Sequence, residues 1–370
     1  MKLLTLKPEM HLYDTCKDFH ADTGFTGSDL IITNRYIFEP YFSGLPSQAR
    51  VLWQEDYGAG EPSDEMAEKM YADVKEPFTR VMGIGGGTIV DIAKLFALKN
   101  PLPLGDLFDR KLEIIKEKEL VLVPTTCGTG SEVTNISILE FKSRHTKFGL
   151  ATDELFADKA VLIPELLEGL PFKFFATSSV DALIHAFEST LSPKATPYSE
   201  LFGRKAIEII LNGYKEIAEK GEEARKPLLK NFLIASNYAG IAFGTAGCAA
   251  VHAMSYPLGA AYHIPHGEAN YAVFTGVFKT YQRKNPTGKI KEFNEFIAKI
   301  LECPPEAVYE ELEKLLNGIL FRKPLREYGV TLRELPDFTK NVMERQGRLM
   351  ANNYTLLDDQ AILDIYTAMY

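Results

Sequence analysis

Asp181 and His185 stand four apart in the stretch FFATSSVDALIHAFE, residues 174–188. On a helix that spacing sets both on one face. Phe174, Phe175, Val180, Leu183, Ile184 and Phe187 around them are apolar, and no Lys or Arg occurs between Lys173 and Lys194. An ionised carboxylate in such surroundings is costly unless something positive compensates it. A hydrogen-bonded core pair is one reading of the Asp/His step, and half of a divalent-metal site is another. A second stretch favours the metal. From Asn231 to Gly267 there is no Lys, Arg, Asp or Glu, yet His252, His263 and His266 fall there. Two of these imidazoles joined to Asp181 and His185 would complete a four-ligand O,N site.

Two further motifs suit a nucleotide. GGGTIVDIAK, residues 85–94, places three glycines between a strand pattern and a helix pattern. Glycines let backbone approach a ligand closely, and a helix N-terminus offers free N–H groups and a positive dipole end, which together suit a pyrophosphate. The motif is neither GxGxxG nor a P-loop. PTTCGTGSEVTN, residues 124–135, follows another strand pattern with a run of hydroxyls and glycines fit for phosphate and ribose oxygens. Two such loops after two parallel strands match a dinucleotide at the carboxyl ends of a sheet.

The elements that must carry these residues can be read along the chain. Leu3–Leu6, Asp29–Thr33, Ala49–Gln54, Arg80–Ile84 and Glu119–Val123 read as strands. Ser63 caps a helix running to about Lys75, and Asp91–Leu98 reads as another. Strands alternating with helices predict a mostly parallel α/β sheet. After Leu162 the patterns turn long and helical, with Pro164 and Pro171 at the change. The expected organisation is an α/β dinucleotide-binding domain over 1–165 and an all-helical metal-binding domain over 166–370. A length of 370 residues fits two domains, because one core seldom grows past roughly 250–300 residues.

Composition excludes several classes. Net charge is −9 and the isoelectric point about 5.5, with no basic cluster interleaved with aromatics, so a nucleic-acid partner is not expected. Cys16, Cys127, Cys248 and Cys303 form no CxxC and read as reduced thiols in a cytoplasmic enzyme, Cys127 as a small packing residue and Cys248 and Cys303 as ordinary core or surface positions. Lys7 interrupts the apolar start, so no signal peptide is expected. The uncharged 231–267 segment is long enough to span a bilayer, but its Gly, Ala, Ser, His and Pro content predicts a buried helix and loop instead.

GGGTIVDIAK, PTTCGTGSEVTN, DALIHAFE and HAMSYPLG…HIPHGEAN, in that order, resemble the iron-dependent (group III) alcohol dehydrogenases across nearly the whole chain. The resemblance implies the dehydroquinate-synthase-like fold, an NAD(H)-dependent alcohol dehydrogenase and a small-molecule aldehyde or alcohol substrate. It implies self-association as a homodimer or larger. The implied metal ligands are Asp181, His185, His252 and His266, in the cleft between the domains, holding Fe(II), with Zn(II) possible. The implied nucleotide contacts are Gly86, Gly87, Thr88, Thr125, Thr126, Thr134, Lys147, Leu166 and Gly169. Within the family, DLIITN, YGAGEPSDEM, SRHTKFGL, ASNYAGIAFG and Ala351–Tyr354 are most similar to members that reduce succinate semialdehyde to 4-hydroxybutyrate. An uncharged alcohol such as butanol or propanediol, and a dehydroquinate-synthase-type lyase, are the competing readings.

The chain departs from the family pattern at three places. Many members carry Asp after the second strand to bind the adenosine ribose and reject NADP; here Asn34 stands there, followed by Arg35, so that rejection is expected to be lost, with NAD still the expected cofactor. A His four residues after the third ligand is replaced by Tyr256, and Glu61 replaces an Asn of the Gly-x-Pro loop. His263 and Tyr256 are therefore the two candidates for proton relay. For a substrate carboxylate, Arg144, His145 and Lys147, or Arg345 and Arg348 near Asn352, Asn353 and Tyr354, are the available groups.

Overall fold

The computed structural model describes every residue except 1, 59 and 145. The chain divides into two compact units, Leu6–Leu170 and a second built from Pro171–Tyr370 with the residues ahead of Leu6.

In the first unit, β1 (Glu9–Leu12), β2 (Asp29–Thr33), β3 (Arg50–Trp53), β4 (Arg80–Gly85) and β5 (Glu119–Pro124) are followed by an antiparallel hairpin, β6 (Ile136–Phe141) with β7 (Thr146–Ala151), and by β8 (Lys159–Leu162). The main sheet has the order β1-β8-β5-β4-β2-β3, and every neighbouring pair is parallel. Its central strands are buried on both faces, which is why DLIIT and ELVLV read as continuous apolar runs rather than alternations. Helices α1 (Cys16–Thr23), α2 (Arg35–Phe42), α3 (Asp64–Asp73), α4 (Gly87–Phe96) and α5 (Leu104–Phe108) complete the unit. Ser63 caps α3, its hydroxyl accepting from Met66 N at 3.2 Å.

Two sequence expectations fail here. Leu3–Leu6 forms no strand; the first one is Glu9–Leu12. It lies at the sheet edge, where Met10 and Leu12 are exposed, so no apolar alternation marks it. The helix expected over Asp91–Leu98 begins four residues earlier, at Gly87, because the glycine turn itself starts it. The β6–β7 hairpin and β8 were not foreseen.

The second unit contains only helices among its described regular elements. They are α6 (Phe172–Leu191), α7 (Pro197–Lys220), α8 (Leu229–Ala246), α9 (Ala250–Tyr262), α10 (His266–Lys284), α11 (Lys289–Leu301), α12 (Val308–Ile319), α13 (Leu335–Arg345), α14 (Gly347–Met350) and α15 (Asp359–Met369), with short 3₁₀ turns between them. No single helix among the described residues is long and apolar enough to cross a membrane; the apolar segments Glu222–Ala246 and Ala250–Tyr262 meet at a 104° bend. That bend is made at Gly247, whose φ of +77° suits glycine and where a Cβ would lie 2.5 Å from Asn352 Nδ2. The same Asn352 amide donates to Cys248 O at 2.9 Å, and Tyr366 Oη on α15 donates to Met254 O on α9 at 2.6 Å. The C-terminal segment thus holds α9 at both ends of its first turns.

Candidate metal centre and nucleotide loops

Helix α6 is buried along nearly its whole length from Phe175, so the side chains of Asp181 and His185 point into protein rather than solvent. Helix α9 brings His252 to them, and the first residue of α10 is His266. One donor atom from each of Asp181, His185, His252 and His266 lies within 4.8 Å of every other. His185 Nδ1 and His252 Nε2 are each 3.9 Å from an Asp181 oxygen, and His266 Nε2 is at 3.8 Å. Two ligands about 2.1 Å from one ion stand no more than about 4.2 Å apart, so these spacings fit a shared cation. His185 Nδ1 and His252 Nε2 are also buried with no hydrogen-bond partner, a state that lacks compensation unless an ion receives their lone pairs. The donor set fits a divalent metal.

Neighbouring groups fix the ligands. Glu188, one turn beyond His185 on α6, accepts from His252 Nδ1 at 2.6 Å and from Val251 N at 2.6 Å. Because a carboxylate only accepts, Nδ1 carries the proton and Nε2 is left for the ion. Asn270, one turn beyond His266, donates its Nδ2 to Asp181 Oδ1 at 2.7 Å. Burial alone would raise the Asp181 carboxyl, but the imidazoles of His185, His266 and His252 and the Asn270 amide hold it below the usual carboxylate range. The Phe243 ring stacks on His185 at 4.3 Å.

Glu188 and Asn270 escaped the sequence reading, although each sits one turn after a ligand on the same helix. Cys248, expected as an ordinary core or surface position, is buried, and it lies against the cluster. Donor atoms of Cys248, Glu188 and His252 lie within 4.8 Å of one another. Burial would raise the Cys248 thiol, but the imidazoles of His252 and His185 outweigh it and lower it. Its place at the turn before α9 gave no sequence signal beyond four residues' distance from His252.

The two proton-relay candidates part company. Tyr256 is half-buried, with its ring 6.2 Å from that of His266. His263 is exposed at the C-terminal cap of α9 with φ +52°, and no described contact ties it to the four ligands.

In the first unit, Gly85 ends β4 and Gly86 caps α4, with no side chain on the free N–H groups of the first turn. A Cβ at Gly85 would lie 2.4 Å from Ile89 Cγ1, and one at Gly87 2.9 Å from Thr129 Cγ2, so the turn closes only with glycine. Gly87 and Thr129 bring the two loops side by side. Lys94 binds them together. Fully buried, its Nζ donates to Ser131 Oγ at 2.7 Å, Thr134 Oγ1 at 3.1 Å and Ile136 O at 2.5 Å, and Ser131 Oγ donates to Asp91 Oδ1 at 2.5 Å. Burial lowers the Lys94 ammonium, opposed by Asp91 and Glu132. The open N–H groups and the glycine cradle fit a pyrophosphate.

The remaining nucleotide residues divide. Thr125 is buried and Thr126 half-buried behind Gly86. Thr88 Oγ1 donates to Gly60 O at 3.2 Å. The Thr134 hydroxyl is engaged inside the protein, with Lys94 and Ser131 O. Lys147 pairs with Glu61. Leu166 is buried and Gly169 exposed in the segment after β8. Asn34 ends β2, its amide donating to Gln54 Oε1 at 2.9 Å and Glu55 Oε2 at 2.8 Å. Of the groups considered for a substrate carboxylate, Arg144 makes two bonds to Asp109, at 2.7 and 2.9 Å, and Lys147 is paired with Glu61, whereas Arg345 and Arg348 are exposed; His145 lies outside the described residues.

Comparison with known proteins bears on both sites. The profile of the family described as iron-containing alcohol dehydrogenase matches residues 13–164, and that of the C-terminal part of the Fe-containing alcohol dehydrogenase family matches 175–370. The 4-hydroxybutyrate dehydrogenase of Clostridium kluyveri is 50% identical over 371 aligned residues, covering 100% of both chains. Long-chain-alcohol dehydrogenase 1 of Geobacillus thermodenitrificans is 34% identical over 84% of this chain and 80% of its own. Sulfoacetaldehyde reductase from Bifidobacterium kashiwanohense, solved in complex with NAD+, superposes with a TM-score of 0.85 at 21% identity, covering 100% of this chain and 99% of that one. A 1,3-propanediol oxidoreductase superposes at 0.84 and 22% identity over 100% of both. At such identities the superpositions establish the fold.

Proposed function

The chain belongs to the iron-containing alcohol dehydrogenase family, and from that premise we propose that it interconverts succinate semialdehyde and 4-hydroxybutyrate with NAD(H). The observation that carries this reading is 50% identity along both full lengths to the Clostridium kluyveri 4-hydroxybutyrate dehydrogenase. Asp181, His185, His252 and His266 would hold the metal, and the turn from Gly85 to Thr88 with the Thr125–Thr126 loop would hold the nucleotide pyrophosphate. When bound, the ion supplies Lewis acidity toward a carbonyl oxygen and the nicotinamide supplies the hydride. The chain's own residues do the rest. Glu188 fixes the His252 tautomer, and Asn270 fixes the Asp181 carboxylate. Tyr256, beside His266, is assigned the proton at its Oη that an alcohol product requires.

The metal is assigned as Fe(II), in keeping with a ligand set of one carboxylate and three imidazoles, with Zn(II) as the competitor. Metal-free enzyme reloaded with each ion and assayed anaerobically with NADH decides between them. A panel of aldehydes tests the substrate. Succinate semialdehyde should exceed butyraldehyde in kcat/KM by roughly 100-fold or more if the site recognises a carboxylate. A second reading, an uncharged alcohol, draws on the 34% identity to the long-chain-alcohol dehydrogenase, and a ratio at or below unity would favour it. Self-association into a homodimer or larger form is part of the proposal and is read by analytical ultracentrifugation.

A further inference from the structure

We propose that Glu55, at the end of β3, gives the nucleotide site its preference for NAD(H) over NADP(H), in place of the uncharged residue at position 34. This rests on the nucleotide reading above and deepens it.

The sheet order places β2 beside β4 and β3 beyond it, with Ile32 opposite Gly83 and Thr33 opposite Trp53. One step further along these registers, Asn34 and Gln54 lie level with the glycine turn that follows β4. Neighbouring strands are about 4.8 Å apart, so a nucleotide with its pyrophosphate on that turn brings its adenosine ribose to the ends of β2 and β3. An acidic side chain there accepts from the ribose 2′-hydroxyl and repels a 2′-phosphate, whereas a free Arg would welcome the phosphate. Asn34 and Arg35 by themselves lack the acidic side chain that the first case needs.

Glu55 brings a carboxylate to the same corner. Both amide protons of Asn34 are engaged, by Gln54 and Glu55. Glu55 Oε1 accepts from Arg35 N at 2.8 Å, so the carboxylate is anchored through both oxygens while one-third of its side chain remains exposed. Arg35 is not free to meet a phosphate. It makes two bonds to Asp56, at 2.7 and 2.8 Å, reaches Glu55 Oε1 at 3.4 Å and lies over the Trp53 ring at 5.0 Å. Two carboxylates against one guanidinium leave the corner negative. A 2′-phosphate brought there meets like charge and an occupied Arg; a 2′-hydroxyl meets an acceptor.

The test is direct binding, by fluorescence titration of the full-length protein with NADH and with NADPH, reading the ratio of the two dissociation constants. Wild type should favour NADH. Glu55→Gln keeps one of the two acceptor oxygens and the side-chain shape but removes the charge, and should shift the ratio toward NADPH at least about tenfold, the scale of one screened charge contact. Glu55→Gln/Asp56→Asn also releases Arg35 and should shift it further. Glu55→Asp should keep the wild-type preference. A ratio within about twofold of wild type in Glu55→Gln, with NADH still bound, overturns the proposal while leaving the nucleotide site standing. Should Glu55→Gln lose both nucleotides, Glu55→Asp decides: NADH preference retained supports the charge, and a shift to NADPH overturns it. Wild type that binds neither nucleotide overturns the site itself and the proposal with it.

Discussion

Between Gly85 and Asn135 the nucleotide loops are made mostly of backbone: glycines without side chains, open N–H groups at the start of α4, and hydroxyls fastened by Lys94. Between Asp181 and His266 the candidate metal cluster is made of four side chains on three helices, with His185 on α6 and His252 on α9 far apart in the chain. The first tolerates side-chain change wherever the backbone path survives. The second depends on the four donors themselves, because each supplies one lone pair, and only Cys248 and Glu188 stand close by among the described donors, both against His252. A fold can therefore present a cofactor by shape in one unit and by chemistry in the other.

Variants that strike one region and spare the other put this contrast at risk. The largest effect is expected from His252→Ala, which removes a ligand and leaves Glu188 buried without its imidazole. Bound metal should be lost and turnover fall by roughly 1000-fold or more, with NADH affinity little changed. Metal analysis beside a nucleotide titration reads both. Glu188→Gln leaves all four ligands but frees the His252 tautomer, and metal affinity should drop roughly 10–100-fold. Competition with a chelator measures it, and an unchanged affinity would deny Glu188 its orienting part. Gly86→Val strikes the other region. A Cβ at Gly86 has its nearest neighbour at 3.6 Å, so the protein accommodates it and the space lost is the ligand's. NADH should bind roughly 10–100-fold more weakly, about 1.4–2.8 kcal/mol, with metal content intact. Tyr256→Phe should slow turnover roughly tenfold, without touching either affinity. Acidification gives the mildest probe. Asp181 is held below the ordinary carboxylate range, so it stays ionised as pH falls. Metal occupancy should decline on acidification, as protons compete with the ion for its ligands, while nucleotide binding by backbone donors stays level.

The same contrast explains what could be read from sequence. Motifs confined to one turn, such as Gly85–Thr88, declare themselves because their function and their spacing are local. The cluster that the structure brings together was legible in part because charge is so scarce around it: a carboxylate without a cation on α6 and three imidazoles in the uncharged 231–267 stretch, from which the family resemblance singled out His252 and His266. Glu188 and Asn270 were not, since a Glu at the end of a helix and an Asn inside one are ordinary until the partner helix is in place. Cys248 and Glu55 failed for the same reason. Glu55 follows β3, and only the pairing of β3 with β2 sets its carboxylate against Asn34. Edge strand β1 was misplaced because its apolar side chains face outward, leaving no burial pattern to detect.

The bond from Tyr366 Oη to Met254 O reaches a carbonyl two residues beyond His252. Remote trimming or a bulky fusion at the chain's tail would thus be felt at the His252 cluster, although Asp181, His185, His252 and His266 all remained in place. For anyone expressing this dehydrogenase, a purification handle belongs at the opposite terminus.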